Sequence, residues 1–84
     1  MKGTAGSKES NDCLITIESS VERKIEINSI VGVFFYDQIL KVVEDTLDEQ
    51  ELYNVKVIVE DKGALDYTIK SRLLTAIERM REDV

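Results

Sequence analysis

Ser10 lies in the run Ser7-Lys8-Glu9-Ser10-Asn11-Asp12-Cys13, between an acid and an Asn-Asp pair. A serine hydroxyl in a polar, reachable segment can take a covalently attached group. It can equally be an ordinary linker serine, and nothing local decides. Ser7, in the same segment, offers the same chemistry. A second set of candidates lies far along the chain, in Asp61-Lys62-Gly63-Ala64-Leu65-Asp66. Lys62 can pair with a phosphate or stand as a plain surface lysine. Gly63 suits a turn of unusual φ, or a close approach of a helix N-terminus to an anion. Asp61 and Asp66 read as acids near a helix start, where the dipole favours them, with a contact to a modifying enzyme as the alternative.

The rest of the composition removes chemistry. The 84 residues include no histidine and no tryptophan. That excludes a His-based triad, the common His-zinc site and a ready acid/base near neutral pH. There is no Walker loop, no GxGxxG and no cysteine cluster. Cys13 is the single cysteine, so no intrachain disulfide forms, and its place at the head of an apolar alternation reads as a small buried side chain. The net charge is −6, which repels phosphate backbones and argues against nucleic acid as a partner. No apolar run approaches the roughly 18 residues of a membrane span. The start, MKGTAGSKES, lacks the apolar segment of a signal peptide. The expectation is a cytoplasmic protein that meets protein surfaces, without nucleic acid or membrane.

These residues need a frame. Length allows one domain with a thin core, burying about 60–65% of the unfolded chain's surface. Residues 1–11 are polar, carry Gly3 and Gly6, and read as a flexible N-terminal arm ahead of a domain over 12–84. CLITIE at 13–18 alternates with strand period, and VERKIEIN at 21–28 alternates again with a one-sided apolar face. From about Val33 the period changes: Phe35, Ile39, Val42, Val43 and Leu47 mark an amphipathic helix. Val55, Val57 and Val59 mark a third strand. Leu65, Ile69, Leu73, Ala76, Ile77 and Met80 then form the stripe of a second helix, with Lys70, Arg72, Glu78 and Arg79 mostly on its wet side. No proline interrupts either helix.

The expected fold is α+β: a ββαβα two-layer sandwich, with a three-stranded sheet and two helices on one face. A hairpin of the first two strands and a right-handed crossover to the third predict the order 2-1-3, with strand 13–18 central. The third strand then runs antiparallel to it, so Ser10 falls beside Lys62 and Gly63. Phe34, Phe35 and Tyr36 cannot all be buried on one helix face. The expectation is one ring in the core and another exposed as a docking patch.

VEDKGALDYTIKSRLLTAIERM resembles the C-terminal half of the acyl carrier subunit, or gamma chain, of citrate lyase, in which Asp-Lys-Gly-Ala-Leu-Asp joins the last strand to the last helix. Here that segment is Asp61 to Asp66. AGSKESNDCLITIE looks like the family's Gly-Thr/Ser-x-Glu-Ser-x-Asp stretch, matched by Gly6, Ser7, Glu9, Ser10 and Asp12. IEINSIV looks like the segment after the family's second strand, so the resemblance spans nearly the whole chain. It departs at GVFFYDQI, where the family often has Glu-Lys-Gln-Phe-Gly, and at the end, where family chains often run past the last helix.

The resemblance implies a carrier rather than an enzyme. Ser10 would hold phosphoribosyl-dephospho-CoA through a phosphodiester, placed there by a prosthetic-group transferase. The thiol of that group would carry acetyl, exchanged for citryl on the transferase (alpha) subunit with release of acetate. The lyase (beta) subunit would then split the citryl thioester to oxaloacetate. A malonate decarboxylase carrier is the nearest alternative. An unmodified binding module is the alternative from another class. A four-helix phosphopantetheine carrier fits worse, since its serine opens a helix and Ser10 precedes a strand.

Overall fold

The computed structural model describes residues 1–30 and 32–83. Among them are four strands, β1 (Lys2–Gly6), β2 (Cys13–Ser19), β3 (Lys24–Ser29) and β4 (Val55–Asp61). A short 3-10 turn (Gly32–Phe34) leads into α1 (Tyr36–Glu49), and α2 (Asp66–Glu82) ends the fold. The α+β class and the two helices agree with the expectation. The sheet does not: it has four strands in the order β1-β2-β4-β3.

Two corrections follow. Residues 2–6 are a strand, not part of a flexible arm. They pair antiparallel with β2 from Lys2↔Glu18 to Gly6↔Leu14. The inward positions Gly3 and Ala5 are small because α2 crosses directly over them. A Cβ on Gly3 would collide with the Ala76 carbonyl and the Met80 amide. Glycine here marks close approach of two backbones.

The second correction is to the order 2-1-3. β2 and β3 do not pair; β4 lies between them, antiparallel to β2 and parallel to β3. Burial explains this. Val55, Val57, Val59 and Asp61 of β4 are all buried, as a central strand requires, whereas β3 is at best half-buried. Lys24, Glu26 and Asn28 of β3 face solvent, a charged pattern suited to an edge. The β2–β3 link therefore passes over the start of β4. It is tied there by the Ser20 amide donating to Asn54 O (3.0 Å) and the Asn54 side chain donating to Val21 O (2.8 Å).

Both helices pack on one face of the sheet. Ile15, Ile17, Val57 and Val59 meet Val43, Leu47, Ile69, Leu73 and Ile77, all essentially solvent-free. Cys13 joins this core, as expected. Phe35 and Leu65, the first residues of the expected helical stripes, stay outside it at 46% and 60% exposed. Each stands just before its helix, at the N-cap, where the stripe has no sheet to lie on.

Candidate functional site

Ser10 occupies the tip of the β1–β2 connection. The Asp12 amide donates to Glu9 O (3.1 Å), closing a four-residue turn with Ser10 and Asn11 at its centre. Asn11 takes φ 65°, a left-handed conformation that asparagine tolerates better than most residues. Ser10 is exposed, and its hydroxyl makes no hydrogen bond among the described residues.

Ser7 differs. Its half-buried hydroxyl donates to Asp12 Oδ2 (2.8 Å) and accepts from the Glu9 amide (3.3 Å). Asp12 is the hub of this turn. Arg72 grips it with Nε to Oδ1 (3.0 Å) and Nη2 to Oδ2 (3.2 Å), and the Cys13 amide donates to Oδ1 (2.7 Å). The Arg72 guanidinium above all, then Ser7 and the Cys13 amide, hold the Asp12 carboxyl down to about 2. A two-pronged Arg–carboxylate pair fixes orientation as well as position. It fastens the base of the serine turn to α2.

The other side of the turn is fastened to β4. Antiparallel pairing of β2 and β4 brings Cys13 opposite Asp61. Beyond it the Asn11 amide donates to Lys62 O (2.8 Å) and the Lys62 amide to Asp12 O (2.9 Å). The serine turn thus lies at the Lys62–Gly63 end of the sheet, joined to it through Asn11 and Asp12, despite the wrong strand order, because that placement needed only the β2/β4 pair. Gly63 has φ +93°, and a Cβ there would sit 3.6 Å from Asn11 Oδ1. The steric space is adequate; the backbone angle is what calls for glycine.

Asp61 is no helix-start acid. It ends β4, is 2% exposed, and accepts from Ser29 Oγ (2.8 Å) and the Ala64 amide (2.9 Å). It ties the end of β3 to the turn that carries Gly63. Asp66 does lie in the first turn of α2, where it accepts from Gln38 Nε2 (2.9 Å). Lys62 is half-buried and forms no ion pair among the described residues, while Lys8 pairs with Glu60 (3.2 Å).

An apolar cleft of about 470 Å³ opens beside Gly63, between the starts of α1 and α2. Phe35, Ile39, Ala64, Leu65 and Tyr67 form its apolar walls. The expected core ring from Phe34, Phe35 and Tyr36 is not found: Phe34 is 88% exposed and the other two 40% or more. The sequence reading missed this cleft and the Asp12–Arg72 clamp. The Asn-Asp pair after Ser10 was the available signal for the turn, but Arg72 is 60 residues away and was placed on the wet side of its helix.

Cys13 cannot supply a thiolate near neutral pH. Burial first, then the Asp12 and Asp61 carboxylates, push its thiol up to about 11.

A malonate decarboxylase delta subunit (MdcD) acyl carrier family model matches residues 1–80. The chain is 44% identical over 81 residues to the citrate lyase acyl carrier protein of Treponema denticola, covering 96% of this chain and 93% of the relative. It is 47% identical over 79 residues to that of Cronobacter sakazakii, covering 93% and 81%. In fold it is similar to a chain of a Pseudomonas malonate decarboxylase hetero-tetramer solved with malonate, with a TM-score of 0.78, 18% identity, and coverage of 94% and 82%. With matches of this strength along almost its entire length, the chain belongs to the citrate lyase acyl carrier protein family.

Proposed function

We propose that this chain is the acyl carrier subunit of citrate lyase, and that Ser10 bears its prosthetic group. The observation that carries the reading is the exposed Ser10 hydroxyl at the tip of a turn clamped on both sides, within a family of acyl carriers. A modifying enzyme can reach this hydroxyl without unfolding anything. Ser7 is engaged twice by its neighbours and is the poorer acceptor.

The group proposed is phosphoribosyl-dephospho-CoA, joined through a phosphodiester. When bound it supplies the thiol on which acyl groups ride, so the chain needs no nucleophile of its own. The residues present fit it. Ser10 provides the ester oxygen, Lys62 adds a positive charge beside the turn, and Gly63 shapes the backbone next to Asn11. The rigid body holds one end of a long tether, which can raise the local acyl concentration to the millimolar range. The partners of this reading are the transferase and lyase subunits and the enzyme that installs the group. A second reading, a malonate decarboxylase carrier, is supported by the family model and the fold of the Pseudomonas chain.

Intact mass tests the attachment. Co-expression with the matching transferase is expected to add one nucleotide-scale group to the wild type and none to Ser10→Ala. Modification that survives in Ser10→Ala sinks the assignment and moves it to Ser7. Reconstitution with citrate lyase or malonate decarboxylase subunits separates the two carrier readings.

A further inference from the structure

The cleft between the two helix starts has the volume of a small-molecule site, within the roughly 300–1,000 Å³ usual for one. Its walls are two aromatic rings, Phe35 and Tyr67, with Leu65, Ile39 and Ala64. Tyr67 and Leu65 are 72% and 60% exposed, so this wall of the cleft offers apolar surface to a ligand. One rim is Gly63, which abuts Asn11, the residue after Ser10. Among the described residues, the only charged ones lining the cleft are the carboxylates Asp61 and Asp66. A phosphate would be repelled there. A neutral heteroaromatic ring would stack on the side chains and find acceptors at the rim, where Gln38 Nε2 is already spent on Asp66 and its carbonyl oxygen is left to accept.

We propose that this cleft seats the adenine ring of the group attached at Ser10, so that only the distal pantetheine portion swings. The inference rests on the attachment proposed above. Dephospho-CoA has an adenine near one end and a flexible thiol-bearing chain at the other, and the apolar cleft lies close to the anchor. Seating the base fixes the root of the tether. The carrier then searches with a shorter arm, at a higher effective concentration near its own end of the sheet.

The test is NMR on protein whose loading at Ser10 has been established by mass. Adenine protons should show through-space contacts to the Ala64 methyl and to the Phe35 and Tyr67 rings. Unloaded wild-type protein titrated with dephospho-CoA should shift the same residues, and pantetheine alone should not. Tyr67→Ala should weaken dephospho-CoA binding at least about fivefold, the lower end of what a base–aromatic stack contributes. Protein loaded at Ser10 with unperturbed cleft residues overturns the inference and leaves the attachment standing. If mass shows Ser10 unloaded, the attachment falls, and the cleft is judged by the titration: no shift at millimolar dephospho-CoA overturns it too.

Discussion

The two ends of the sheet are finished differently. At the Ser10 end, both helices begin, and neither has a side-chain cap: Phe35 and Leu65 stand where Ser, Thr, Asp or Asn would serve. At the opposite end, both helices finish and the chain is closed by polar bonds. Arg23 donates to Leu52 O (2.7 Å), pairs with Asp48 (2.8 Å) and lies 5.0 Å from the Tyr53 ring centre. Arg79 and Arg81 complement the last turn of α2. One end is closed by its own arginines, although the Nε of Arg23 is buried with no partner among the described residues. The other presents uncapped helix starts and apolar rings around an exposed hydroxyl, which suits the attachment proposed at Ser10.

If the comparison is sound, the core beneath should serve both ends alike. Leu73 is solvent-free under the sheet, and Leu73→Ala should cost about 2–5 kcal/mol in urea unfolding. A loss below about 1 kcal/mol would count against the packing of α2. At the ends themselves, two residues with positive φ should respond in opposite senses. Gly63 (φ +93°) gains only strain from a side chain, so Gly63→Ala should lose about 1–2 kcal/mol. Glu51 (φ 55°), at the sealed end, already bears that strain, so Glu51→Gly should be neutral or gain up to about 1 kcal/mol. Equal losses in the two variants would remove the distinction.

The Asp12 clamp should show in acid. Its carboxyl is held at about 2, below its ordinary value of 3.8, so the folded state favours the ionised form. That contribution is present above the unfolded pKa and is lost as pH falls towards about 2. Asp12→Asn should flatten this part of the stability profile. Retention of the wild-type acid slope in Asp12→Asn would mean that the Arg72 pair does not hold in solution.

Much of the β2/β4 half of the molecule was legible because its alternating valines and isoleucines carry burial directly. β1 was not, since its inward residues are Gly3 and Ala5, which have almost no hydrophobic signal and act by letting α2 come close. The strand order failed for a related reason. Alternation in 21–28 reports a half-buried strand but not its neighbour, and the neighbour is chosen by the α1 crossover. The placement of the serine turn beside Lys62 and Gly63 survived because it depended on one correct pairing. The clamp and the cleft were illegible because they join residues such as Asp12 and Arg72, or Phe35 and Tyr67, that only the completed fold brings together.

The finest distinction concerns Lys62. Its backbone already serves the fold through both bonds to the serine turn, so the side chain can be removed without touching them. Lys62→Ala should therefore leave the unfolding midpoint unchanged. A half-exposed charge near a phosphate is worth about 0.3–1 kcal/mol, so loading of Ser10 or turnover of its acyl group should slow only about two- to fivefold. The effect should fade as salt shortens the Debye length from about 10 Å at 0.1 M to about 3 Å at 1 M. Arg23→Ala, at the sealed end, should slow neither step at any salt concentration. A Lys62→Ala rate that matches wild type at low salt would separate this lysine from the site and leave the end of the sheet to its helix starts and its rings.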